Sequence, residues 1–259
     1  MSIYNLNYGE FEKDRDHYVL WSGGLDSTFL LAQIAQKHGL ETKPVNAVYI
    51  NHFQLGRKPV KEIQARDEIL PILTSRGLHI RDNFIKVSAS DHIYHRQQKC
   101  GQPQLMMWAS NLLPYVTKDA VIYIAAVRDD DVSDKTVELI KEFVDASNKF
   151  LGYAVDVVFP LRNLDKRYIF EWYEESHNRE VYEKLWYCEK VASVPTFAVD
   201  VFTPCGHCRP CRIHIDALLG LAGFNVSSRG NKVNWYNEQL KKFNLSVEWR
   251  DDDEIKLKE

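Results

Sequence analysis

No run of about 18 apolar residues occurs anywhere in the 259-residue chain, so no stretch is long enough for a membrane-spanning helix. Positive charge is not in excess. The 33 Lys and Arg stand against 36 Asp and Glu, a net charge of −3. That balance argues against a protein that docks nucleic acid through a basic face. Internal repeats and low-complexity tracts are missing too, which sets aside solenoids and disordered arrays. The first 17 residues are polar and acidic. They lack the positive start and apolar stretch of a signal peptide, so a cytoplasmic protein is expected. Cysteine is scarce, at five residues. In a reducing compartment such thiols serve metal or chemistry rather than disulfides.

What is present is 45% hydrophobic content, enough for one large core with a small appendage. Apolar strands are expected over residues 17–21, 45–50, 84–88, 121–126 and 155–159. Helical spacing is expected over 28–37, 61–76, 105–116, 137–150 and 166–177. Strands alternating with helices imply an α/β fold with a doubly wound parallel sheet. The strands are nearly continuous apolar runs, as in sheets buried on both faces.

The chain is organised around Ser22-Gly23-Gly24-Leu25-Asp26-Ser27-Thr28. A strand runs into this turn and a helix runs out of it, a layout that aims backbone N–H groups at an anion. The glycines allow close approach, and Ser22, Ser27 and Thr28 add hydroxyls. The Lys-Ser/Thr that closes a Walker A loop is absent. The turn resembles instead the S-G-G-x-D-S loop of the PP-loop ATP pyrophosphatases. That resemblance implies a loop holding the β,γ-pyrophosphate of ATP, so that the group transferred is AMP.

In parallel sheets, ligands bind beyond the carboxyl ends of the strands. Four polar stretches fall there: the glycine turn, 51–56, 129–131 and 162–166. Lys166 and Arg167 open the helix after the fifth strand. Cations in a first turn oppose the helix macrodipole unless an anion lies against it. Cys188, Cys205, Cys208 and Cys211 form C-x16-C-x2-C-x2-C. Four thiolates at this spacing suit a tetrahedral structural Zn²⁺. A 4Fe–4S cluster also takes four cysteines, so spacing alone leaves the metal open. His207 and His214 are spare ligands, and Cys100 stands apart.

Together these pieces resemble the QueC family, the 7-cyano-7-deazaguanine (preQ0) synthases. The resemblance covers about residues 17–220. It rests on Ser22–Thr28, on Pro160-Leu161 with Lys166 and Ile169, and on Cys188 with Cys205-Gly206-x-Cys208-x-x-Cys211-Arg212. It implies a HUP-type sheet carrying a zinc site, with the chain divided into an arm (1–16), a nucleotide-binding domain (17–180), a zinc-binding subdomain (181–223) and an extension (224–259). It implies ATP, Mg²⁺ and Zn²⁺ as cofactors. The catalytic residues implied are Asp26, toward Mg²⁺, and Lys166, toward phosphate. The implied partners are a 7-deazaguanine-type carboxylate and ammonia, with neither membrane nor direct nucleic acid, and a homodimer is compatible. Two segments depart from the family. Gln102-Pro103-Gln104-Leu105-Met106 stands for V-P-x-R-N, and Asp130-Asp131-Val132-Ser133-Asp134-Lys135 stands for the start of E-D-x-S-G-Y-P-D-C-R. Asp130, Asp131 and Ser133 are the candidate substrate residues that remain. The departures leave open a different amine or a protein as acceptor, as in QueC-like proteins of phage and anti-phage settings. A PP-loop tRNA-modifying enzyme and a non-catalytic zinc-bearing module are the competing readings.

Overall fold

Strand pairing spreads outward in both directions from β1 (Asp16–Leu20). The computed structural model describes residues 6, 14–40, 42–52, 58–87, 104–128, 132–175, 177–188, 192–194, 201–204, 208, 210–212, 214–215, 239, 246–249 and 255–258. Asp130, Asp131, Cys205 and Cys100 lie outside the described residues, as do 53–57 and 88–103. The chain divides into two compact units, Met1–Asp165 and Lys166–Glu259.

In the first unit β1 joins β2 (Val45–His52), β3 (Ile80–Val87), β4 (Ala120–Tyr123) and β5 (Asp156–Val158) in the order β3-β2-β1-β4-β5. Every pairing is parallel. The crossovers carry α1 (Leu25–His38), α2 (Lys58–Ser75), α3 (Gln104–Leu112) and α4 (Asp134–Leu151). The pleat sorts the helices onto two faces. Leu20, Val48, Ile50, Ile85 and Ile122 pack with Leu105, Ala109 and Leu112 of α3 and with Ile140 and Val144 of α4. Val19, Ala47, Tyr49, Val121 and Tyr123 are equally buried. Alternation turns them to the opposite face, toward α1 and α2. Tyr49 Oη donates to Glu62 of α2 at 2.7 Å from that side. The sheet is therefore doubly wound, as expected. Its order reverses at β1, so the crevice between the β1 and β4 carboxyl ends is the topological switch point.

Several boundaries differ from expectation. Helix α1 begins at Leu25 rather than Thr28, because Gly24 is its N-cap and Thr28 N already donates to Gly24 O at 3.0 Å. Strand β3 begins at Ile80 rather than Phe84. Its polar first half, Arg81-Asp82-Asn83, pairs with Asn46-Ala47-Val48 of β2 at the margin of the sheet. Strand β1 begins at Asp16, one residue before the strand expected over 17–21. Arg15 precedes it, donating from Nη2 to Ala120 O at 2.9 Å and to Ala154 O at 2.7 Å, with Nε 2.8 Å from Asp119. Its side chain thus ties the amino ends of β1, β4 and β5.

The second unit contains α5 (Lys166–Glu174), α6 (Arg179–Lys184) and two antiparallel pairs, β6 (Ala192–Val194) with β7 (Val201–Thr203) and β8 (Ser246–Trp249) with β9 (Ile255–Lys258). Ile169, Phe170 and Tyr173 of α5 and Val181 and Tyr182 of α6 are buried. Asn178 joins the helices, its Nδ2 donating to Trp172 O at 2.8 Å. Among the described residues no helix is long and apolar enough to cross a membrane.

Replacing Arg15 by Leu removes the donor of two backbone carbonyls. Denaturant unfolding should then show a stability loss of roughly 1–3 kcal/mol. An unchanged midpoint would show that the amino ends of the strands hold without it.

Candidate functional site

The glycine turn is built by opposing demands at its two ends. Trp21 N donates to Val48 O at 2.8 Å, extending β1 by one residue. The chain must then reverse into α1 within Ser22, Gly23 and Gly24. Gly23 takes φ +75°, the left-handed region that glycine enters at little cost. A Cβ there would lie 3.1 Å from both Ala65 Cβ and Glu62 O, and 3.3 Å from Arg66 Cγ. Glycine is thus required twice, for the dihedral and for the close approach of α2. Gly24 is extended, at φ −85° and ψ 171°, and caps α1.

Leu25, Asp26 and Ser27 accordingly form the first turn of α1, where helix geometry supplies no i−4 carbonyls for the backbone N–H groups. Such a terminus attracts anions. Ser22 and Ser27 face each other across the turn. Their Oγ atoms are 3.3 Å apart, and Ser22 N donates to Ser27 Oγ at 3.3 Å. Thr28 is fully buried, and its Oγ1 accepts from Trp21 Nε1 at 2.9 Å. Its hydroxyl braces the turn from within the core.

Arg66 is the residue that sequence reasoning missed. It lies on α2, only 2% exposed. Its Nη1 donates to Trp21 O and its Nη2 to Asp82 Oδ1. The guanidinium carbon stands 4.4 Å from the Trp21 ring centroid and 5.1 Å from that of Tyr49. A buried guanidinium is tolerated when paired and stacked in this way. Burial lowers the Arg66 pKa, an effect that Asp82 opposes. Burial, then Glu62, pushes the Tyr49 hydroxyl well above its ordinary value, so it remains a donor. The signal for Arg66 was available: it falls on the inward stripe of α2 with Ala65, Ile69 and Leu73.

The β4 and β5 carboxyl ends are stitched together beside the switch point. Arg128 N donates to Leu164 O at 3.2 Å and its Nη2 to Asn163 O at 2.6 Å. Ser133 caps α4, its Oγ accepting from Thr136 N at 3.2 Å. Asp134 accepts from Arg162 Nε at 3.0 Å and Nη2 at 2.7 Å. Lys166 belongs to the second unit, where it opens α5 and is buried at 8% exposure. A lysine this buried is held by partner groups.

In the second unit Cys188, Cys208 and Cys211 converge. All three are buried, and their sulfurs lie within 4.8 Å of one another. Cys188 Sγ and Cys208 Sγ are 3.8 Å apart. Four sulfurs at about 2.3 Å from one tetrahedral ion are about 3.8 Å apart along each edge, so the pair fits a shared metal. The cluster's surroundings are aromatic. His214 Nε2 is hydrogen-bonded to Tyr182 Oη at 2.6 Å, and its ring stacks on Tyr187 at 3.9 Å. Trp186 Nε1 donates to Cys188 O at 2.9 Å, fixing the first ligand's backbone. His214 is thus engaged with tyrosines and is not part of the three-residue group.

Gly23→Ala must both enter a left-handed conformation and press on the Glu62 carbonyl. Denaturant unfolding should show a stability loss of about 1–3 kcal/mol. A variant with wild-type stability would remove the basis for the two demands on this glycine.

No protein-family model matches the chain, and no curated protein matches it. Among solved structures it is similar to the U34-tRNA thiolase NcsA from Methanococcus maripaludis, solved with its 4Fe–4S cluster. The identity is 15% and the TM-score 0.44, over 89% of this chain and 74% of that chain. At that TM-score the likeness is descriptive, and no residue role is carried across.

Proposed function

We propose that this chain is a QueC-like, ATP-dependent carbon–nitrogen ligase. It adenylates a carboxylate, with 7-carboxy-7-deazaguanine as the substrate of first choice, and passes the activated acyl group to ammonia. The observation that carries the reading is the Gly23–Gly24 turn, which caps α1 at the end of the central strand with Asp26 in the helix's first turn. A helix terminus receptive to phosphate but bearing a carboxylate calls for a cation between the two anions. Mg²⁺ held by Asp26 and ATP oxygens would supply that charge neutralisation.

The chemistry fits a site made of positioning groups. A carboxylate is a poor electrophile because oxide would have to leave. Attack of its oxygen on the α-phosphate expels pyrophosphate and gives an acyl adenylate. The first turn of α1, with Ser22 and Ser27, would hold the departing pyrophosphate. Ammonia attacks the acyl carbon, AMP leaves, and the amide forms. Adenylation of the amide oxygen by a second ATP, followed by loss of AMP and a proton, gives the nitrile. The substitutions at 102–106 and 129–135 favour a second version of the same chemistry, with another amine or a protein as acceptor.

The cysteines would hold zinc in a structural role, with Cys205 completing the set of Cys188, Cys208 and Cys211. In a 4Fe–4S cubane each cysteine takes its own iron. Sulfurs 3.8 Å apart support a single ion instead.

Incubation with ATP and 7-carboxy-7-deazaguanine, with and without ammonium, tests the substrate by mass spectrometry. The nitrile is expected with ammonium, and absence of amide, nitrile and adenylate alike would rule the acid out. Asp26→Ala should abolish turnover while leaving the melting temperature within about 2 °C of wild type. Cys208→Ser should lose the bound metal and much of the stability, and elemental analysis of the wild type should return one zinc per chain. Iron in its place would overturn the zinc assignment.

A further inference from the structure

Arg162 stands in the loop after β5, its N donating to Phe159 O at 3.2 Å, between the buried Leu161 and the Asn163–Leu164 backbone gripped by Arg128. Its guanidinium belongs to the carboxyl edge of the sheet, in the same unit as the glycine turn. Its side chain is 22% exposed, while that of its partner Asp134 is 86% exposed. Both bonds of the pair converge on one oxygen, Asp134 Oδ1, from Nε and Nη2. Nη1 is buried and has no hydrogen-bond partner among the described residues. An enclosed cationic donor without an acceptor is costly. Arginine's usual complement is a planar anion that accepts two parallel bonds, which Asp134 does not provide here.

We propose that Arg162 is the residue that recognises the substrate's carboxylate, and that Asp134 is a positioning residue holding the guanidinium until that carboxylate arrives. The assignment rests on the carboxylate-adenylating reading above. It adds the group that neutralises the acid before it meets the negatively charged α-phosphate. Asp134 is the readily displaced partner because its own carboxylate is largely in water, where an ion pair contributes little. An incoming carboxylate has two oxygens to offer and can engage the edge that carries Nη1.

The test is binding to the full chain by calorimetry, with two probes of one shape: 7-carboxy-7-deazaguanine and the neutral 7-cyano-7-deazaguanine. Arg162→Gln should weaken the acid about 10- to 100-fold and move the nitrile by less than about twofold. Arg162→Lys keeps the charge without the fork and should fall between. Asp134→Asn should bind the acid more tightly than wild type, an outcome that a merely structural ion pair does not produce. Equal losses for both probes, no loss for either, or a loss confined to ATP overturns the assignment while leaving the ligase reading in place. If the wild type binds neither probe, the deazaguanine substrate and this assignment fall together.

Discussion

The first unit depends on one close approach, the backbone of Gly23 against α2. Glu62 O and Ala65 Cβ leave no room for a side chain at a position that is also left-handed. That contact fixes where β1 stops and where α1 starts. Arg66 secures it from behind, bonding the Trp21 carbonyl at the last residue before the turn. Trp21 in turn bonds Thr28, one turn into α1. Strand end, turn, helix start and α2 are therefore one mechanical object. A turn held this way would need little reorganisation to bind an anion, as the proposed transfer requires.

Much of this was legible in the amino-acid order because burial leaves a strong imprint. Strands β1, β2 and β4 are covered on both faces and read as apolar runs. The turn was marked as a candidate anion site by the whole order Ser22–Ser27, and that order does fall at the junction of a strand and a helix. Where burial is partial, the imprint fades. Arg81, Asp82 and Asn83 belong to β3 through backbone pairing that side-chain chemistry does not report. Arg66 was passed over because an apolar helical stripe is searched for aliphatic residues, and a stacked guanidinium satisfies the same space. The start of α1 was placed late because Gly24 caps through backbone geometry, without a side-chain signal. Strand β8, Ser246–Trp249, carries Val247 and Trp249, residue types that favour strands. Its partner β9, Ile255–Lys258, was hidden in a charged tail.

The second unit answers to different physics. Its described core is aromatic: Phe170, Tyr173, Tyr182 and His214 contact one another edge-on, tilted or stacked. The converging thiols sit beside that cluster, joined to it through Tyr187 on His214. Burial pushes the Tyr187 hydroxyl well up, with Tyr182 and the cysteines adding to it. A small unit with short antiparallel strands would gain from a metal what it lacks in apolar area. The cysteine spacing singled out Cys188, Cys208 and Cys211, which converge. The tyrosine–histidine stack around them left no spacing pattern to read.

The central claim is that ATP is cut between its α- and β-phosphates, because the turn at the end of β1 would hold a leaving pyrophosphate. Phosphorus NMR of ATP incubated with the wild-type protein, the carboxylate and ammonium reads this directly. The account predicts AMP and pyrophosphate appearing in equal amounts and only when the acid is present. ADP with inorganic phosphate as the products would contradict it.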